Sequence, residues 1–131
     1  MIAGNWNGTS DFQQGGVRFI SNTVATIGQN DRNVTGNIRF TSAGWEGWQA
    51  NFSGTLAGTA PDTQFVGNIV LQAPSSTGTG VCSASFTMAG PSIGTSMRWE
   101  TPVILMTNNV STQPINSCRG QLLTLVWIFF R

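Results

Sequence analysis

Only 8% of the 131 residues are charged, all six basic residues are arginine, and the formal net charge is +1, with histidine, lysine and tyrosine absent. The clustered Lys and Arg that recognise nucleic acid are therefore missing, as are the imidazole and amine groups behind most general-base and Schiff-base chemistry. Five Trp, eight Phe and regularly spaced Val and Ile exclude a disordered chain, and the length fits one domain, residues 1–131, with a core of its own.

The predicted elements follow one another as short strands. Asn5 to Phe12 is the first, and Gln13-Gln14-Gly15-Gly16 leads into a second from Val17 to Ile27. After the turn at Gln29-Asn30-Asp31-Arg32, Val34, Gly36, Ile38 and Phe40 share one face and Thr35, Asn37, Arg39 and Thr41 the other. Ser42-Ala43-Gly44 then turns into a long strand, Trp45 to Ala57, with Trp48, Ala50, Phe52, Gly54 and Leu56 on one row. Beyond the turn at Ala60-Pro61-Asp62-Thr63, the row Phe65, Gly67, Ile69 and Leu71 points inward. Residues 73–80 are read as loop. Val81 to Met88 is the next strand, Gly90-Pro91 ends it, and Ile93 to Glu100 follows with Ile93, Thr95, Met97 and Trp99 on one row.

Pro102 interrupts the chain, so Val103 to Met106 is read as an edge strand or an extended arm. Residues 107–119 read as loop, and Gln121 to Arg131 is the last strand and the most apolar run. Leu123, Leu125, Trp127 and Phe129 form one face, and Leu122, Val126, Ile128 and Phe130 the other. Apolar rows on both faces need cover on both sides. The first is expected in the core. The second is expected against a loop, the Val103 to Met106 arm, or another copy of the chain in a homo-oligomer. As a helix the run is shorter than the roughly 20 residues that span a bilayer. Polar outer rows elsewhere argue against a lipid-facing barrel.

Every apolar row has a period of two, so the fold class is all-β. Short sequential turns and the absence of a helix predict a small antiparallel up-and-down barrel of about 8 strands, because closure removes edges that would otherwise aggregate. The alternative is a two-sheet β-sandwich.

Cys82 and Cys118 are the two cysteines, and without histidine they make no metal site. If they pair, the bridge closes a loop of about 36 residues and stabilises the fold by about 4 kcal/mol on the chain-entropy argument. It would also place the protein in an oxidising compartment, secreted or periplasmic. The alternative is two buried free thiols. No basic segment followed by an apolar run precedes Ala3, so any secretory signal is expected to have been removed.

Gly4-Asn5-Trp6 on the first strand, together with Arg131 at the end of the last, resembles the signature of the lipocalin-like (calycin) barrels. The resemblance implies that Trp6 plugs the narrow end of the barrel under the Arg131 guanidinium, with Arg119 as substitute if the register differs. The chain is also similar to small bacterial secreted barrels of unassigned function and, distantly, to the avidin group. The avidin group's tyrosine is absent here, and so is the helix with which lipocalins usually end.

For function, the two glutamates each adjoin a tryptophan, in Trp45-Glu46 and Trp99-Glu100, and glycoside hydrolysis uses a pair of carboxylates. Neighbours along a strand face opposite ways, so one pocket does not hold both, and the expectation is not an enzyme. Trp45, Trp48 and Trp99 are instead the candidate wall of a ligand cup at the open end. The expected function is a non-enzymatic secreted binding protein for a small apolar or aromatic ligand, with no cofactor, metal or nucleic acid. The alternative is a structural or self-assembling protein whose barrel is filled.

Overall fold

The alternating rows fold into eight antiparallel strands, each hydrogen-bonded to the next in sequence, and the last returns to the first to close a barrel. The structure is a computed structural model that describes residues 1–14, 16–59, 62–74, 81–108 and 121–131, with backbone alone at Gln14, 102–108 and 121–123. The strands are β1 (Gly4–Gln14), β2 (Val17–Asn30), β3 (Asn33–Phe40), β4 (Gln49–Ala57), β5 (Gln64–Pro74), β6 (Val81–Pro91), β7 (Ser96–Asn108) and β8 (Gln121–Phe130). Closure runs from Asn7 opposite Phe130 to Gln13 opposite Thr124. With one closed sheet, the sandwich alternative is set aside.

Turn chemistry fixes the hairpins. Asn30 pairs with Asn33, leaving Asp31 and Arg32 as a two-residue turn, and Asp31 takes a left-handed φ of 57°, a region Asp tolerates better than most residues. Inside, one group of large rings packs around Trp99. Trp99 stacks on Phe65 at 3.9 Å between ring centres and 14° between planes, and meets Phe52 and Phe129 edge-on. Phe65 has room because its neighbours lack side chains: a Cβ on Gly67 would lie 2.3 Å from Phe65 Cζ, and one on Gly54 2.8 Å from its Cε1. Each indole N–H in this core has an acceptor. Trp6 donates to the Ile2 carbonyl, Trp99 to Ser92 Oγ and Trp127 to Ser10 Oγ, so burying the three rings leaves no donor stranded.

The outward rows are mostly polar, with exposed Asn7, Asn22, Thr35, Asn51, Asn68 and Thr87. Among the described residues two ion pairs lie on this wall. Arg18 binds Asp11 between neighbouring strands, which raises the guanidinium above its ordinary pKa through the hydrogen bond and then the charge of the carboxylate. Arg98 binds Glu100 along β7 at 2.6 Å. Surface pairs of this kind contribute little to stability. Among the described residues no helix is long and apolar enough to cross a membrane.

Several expectations are corrected. β4 begins at Gln49, not Trp45, because Trp45 to Trp48 form a turn with Gly44 and Gly47 at φ 90° and 84°. β6 continues through Gly90 to Pro91, and β7 begins at Ser96, so Ile93 lies in the turn between them. Val103 to Met106 is neither an edge nor a free arm. Pro102 sits within β7, and the register to β8 shifts between Thr101 and Ile104, after which Ile104 pairs with Leu123 and Leu105 with Leu122. The ladder thus places a bulge where the proline has no N–H to give.

The cysteine pairing also needs correction. No disulfide joins two described residues, and Cys118, like Arg119, lies outside the described residues, so the expected Cys82–Cys118 staple is not part of what the structure describes. Cys82 is buried on the inner row of β6 and is not a free thiol.

Candidate functional site

The two ends of the barrel are built differently. At the first, Trp6 on β1 is buried among the residues that close the base, and Arg131, just after β8, lies over it with its guanidinium carbon 4.3 Å from the ring centre. The same guanidinium donates to three carbonyls, those of Gly94 at 3.0 Å, Ala3 at 2.7 Å and Met1 at 2.9 Å. It therefore ties the entry to β1, the β6–β7 turn and the chain after β8 at one point.

Beside this plug is an open depression of about 420 Å³, bordered by Ile2, Asp31, Arg32, Leu56, Ser92 and Ile93. Arg32 is already committed there, donating one nitrogen to the carbonyls of Leu56 and Gly58, both at 3.1 Å. This end is a fastening in which the cations bind the protein's own backbone.

At the other end the β3–β4 loop folds over the barrel. Its backbone is fixed by Trp45 N–H donating to the Ser42 carbonyl at 3.2 Å and Trp48 N–H donating to the Trp45 carbonyl at 3.1 Å. Ser42 Oγ in turn accepts the Asn22 N–H at 2.8 Å, anchoring the loop to β2. These bonds direct both indoles down onto Phe12 of β1 and Phe40 of β3. Trp45 stacks on Phe12 at 5.6 Å and 17° and on Phe40 at 5.6 Å and 16°, and meets Trp48 edge-on at 4.8 Å. Trp48 tilts against Phe12 at 5.5 Å and Phe40 at 5.8 Å.

Phe12 and Phe40 are buried, while Trp45 and Trp48 are half-buried. Next to them, Val17 and Phe19 sit on the inner parity of β2 yet remain 53% and 44% exposed, because β2 rises above the closed part of the barrel there. Apolar side chains thus face the mouth with nothing over them among the described residues.

The structure brings Trp45 and Trp48 together and leaves Trp99 apart. Trp99 is fully buried deep in the barrel with Phe52, Phe65 and Phe129, so the expected three-tryptophan wall is corrected to two tryptophans with Phe12 and Phe40. The two phenylalanines were findable: both end a strand next to a loop and share parity with their strand's core row. Glu46 and Glu100 are also separate. Glu46 Oε1 accepts the Gly44 N–H within the lid loop, whereas Glu100 is engaged by Arg98 on the outer wall. Among the described residues no group of three or more potential metal ligands occurs.

The outer row of β8 is half covered. Val126 is partly buried, and Ile128 and Phe130 are 39% and 51% exposed. Beside Ile128 runs a shallow, largely apolar groove of about 240 Å³, bordered by Pro91, Ile93, Met97 and Arg98. Leu122 is paired with Leu105 in the β7–β8 ladder, and its side chain lies outside the described set.

No protein-family model matches the chain, and no curated protein or solved structure matches it at significant similarity. What defines the molecule is its own geometry, a small eight-stranded antiparallel barrel of a kind compatible with ligand binding.

Proposed function

We infer that this protein is a non-enzymatic binding protein that holds a small apolar or aromatic ligand at the lid end of the barrel, against Trp45, Trp48, Phe12 and Phe40. The observation that carries the reading is the half-buried indole pair packed on two buried phenylalanines, Trp45 stacked and Trp48 tilted, at a mouth where Val17 and Phe19 stay exposed. Exposed apolar residues gathered at one end lose contact with water when a ligand covers them, at roughly 25 cal/mol per Å² of apolar area. The opposite end is sealed by Trp6 and Arg131, so entry is from the lid side.

The Trp6–Arg131 stack also supports the lipocalin-like reading of the barrel, and the weakly charged, mostly polar outer wall supports a secreted or periplasmic setting. Titration of tryptophan fluorescence with a panel of neutral apolar and aromatic compounds tests the function. A saturable response lost in Trp45→Phe/Trp48→Phe is expected. No response to any member of the panel would remove the reading.

A second reading, self-association, is favoured by the exposed Ile128 and Phe130 beside the apolar groove. It needs no ligand, and its test is the oligomeric state.

A further inference from the structure

Inside the barrel, hydroxyl groups gather on the first hairpin. Ser10 is paired directly with Ser21, and Gly8 with Thr23, across β1 and β2. Ser10, Ser21 and Thr23 are all buried on the inner face. One step further along β1 is Phe12, and on the other side Thr23 is paired with Phe40. Residues opposed in this way have Cβ atoms about 4.5 to 5.5 Å apart. Thr23 is therefore the inner-face neighbour of Phe40, and the Ser10–Ser21 pair is next along the hairpin to the pair of Phe12 and Phe19.

Two of the three hydroxyls are in use. Ser10 Oγ accepts the Trp127 indole N–H, and Ser21 Oγ donates to the Asn22 carbonyl at 2.8 Å. Thr23 Oγ1 is not. It is buried and has no hydrogen-bond partner among the described residues. A stranded hydroxyl is unfavourable, and a valine would fill much the same space without it, so packing alone does not account for a threonine here. The charge balance of the interior narrows what could meet it. Among the described residues the buried polar side chains are Ser10, Ser21, Thr23, Ser92 and Thr101, none of them ionisable. A charged group brought in from water would find no counter-charge.

We propose that Thr23 is the polar anchor of the ligand site under the Trp45–Trp48 lid, and that the ligand is a neutral molecule whose apolar or aromatic body carries a hydroxyl, carbonyl or amide group. The proposal rests on the lid-end binding reading above. The body lies against Phe12, Phe40, Trp45 and Trp48, and the polar group shares a hydrogen bond with Thr23 Oγ1. Because the threonine hydroxyl both donates and accepts, it serves any of the three groups.

Calorimetric titration of the intact chain with phenol, toluene and benzoate tests this, since the three share a ring and differ in the group it carries. Phenol is expected to bind about ten-fold more tightly than toluene, the worth of one good net hydrogen bond, and benzoate most weakly. Thr23→Val is expected to abolish the advantage of phenol while leaving toluene unchanged, and Thr23→Ser to keep it. Should Thr23→Val fail to fold by circular dichroism, Thr23→Ala set against Thr23→Ser makes the same comparison. If phenol and toluene both bind, Trp45→Ala weakens both, and their ratio is the same in Thr23→Val as in the native chain, the anchor is wrong and the lid site stands. Benzoate binding as tightly as phenol also overturns the anchor. If neither phenol nor toluene binds at all, the lid site fails and the anchor with it.

Discussion

The guanidinium of Arg131 covers the Trp6 ring at 4.3 Å while its three nitrogens bond carbonyls from two separate segments. The planar fork allows stacking and hydrogen bonding at once, which an ammonium does not. The end of the chain is thereby fastened to its beginning at the base of the barrel.

Arg131→Ala should accordingly destabilise the fold by about 1 to 3 kcal/mol, combining a cation–π contact with hydrogen bonds from a charged donor. Arg131→Lys should recover less than half of the loss. Urea unfolding midpoints measure both. A lysine variant as stable as the native chain would show that charge alone matters at this position.

The tight approach of Phe65 to its glycine neighbours makes a second prediction. A Cβ on Gly67 would lie 2.3 Å from Phe65 Cζ and 2.7 Å from the Ser53 carbonyl oxygen, so the ring has to leave its stack on Trp99. Gly67→Ala should cost at least about 2 kcal/mol, as overpacked cores do. Gly94 has open space around it, and Gly94→Ala should stay within about 0.5 kcal/mol of the native chain. Thermal unfolding of the two variants gives the comparison directly.

How far the sequence could be read follows from what periodicity encodes. The inner rows of β3, β4 and β5 were legible because apolar and polar residues alternate there without interruption, and a closed barrel follows from eight such strands in sequence. Pro102 was misread because a proline usually marks an edge, whereas here a bulge at Thr101 to Ile104 carries the strand past it. Trp45 was misread because Trp48, which does share the β4 parity, drew the strand four residues too far back into the loop.

The grouping of Trp45, Trp48 and Trp99 failed for a different reason. Parity tells which way a side chain points but not its height in the barrel. Height depends on register around the whole circuit, which no single hairpin states. Thr23 was within reach, since Ser21 and Thr23 share the parity of Ala25 and Ile27.

The same separation of heights predicts opposite behaviour from two tryptophans. Trp99 is fully buried among Phe52, Phe65 and Phe129, and Trp99→Ala should cost about 3 to 5 kcal/mol. Trp45 is half-buried in a loop, and Trp45→Ala should cost under about 2 kcal/mol while weakening any lid-end ligand. Equilibrium unfolding followed by circular dichroism, independent of tryptophan emission, separates them. Equal losses would mean that the lid is part of the core and no mouth exists there.

The last prediction concerns the outer row of β8. Ile128 and Phe130 are 39% and 51% exposed, so each already has roughly half of its surface out of water. Full burial of such a side chain is worth roughly 1.5 to 3 kcal/mol, and only part of that remains to be gained at each. Association costs about 4 to 15 kcal/mol before any contact is counted. Val103 to Met106, which would have extended the contact as an arm, is committed to the barrel wall through its ladder with β8. On this arithmetic two copies joined through Ile128 and Phe130 gain less than they lose. Sedimentation at micromolar concentration should therefore show a monomer, and Phe130→Ser should leave the sedimentation coefficient unchanged. A concentration-dependent dimer that Phe130→Ser abolishes would reverse the ranking of the two functional readings and make this wall, rather than the lid end, the working surface of the protein.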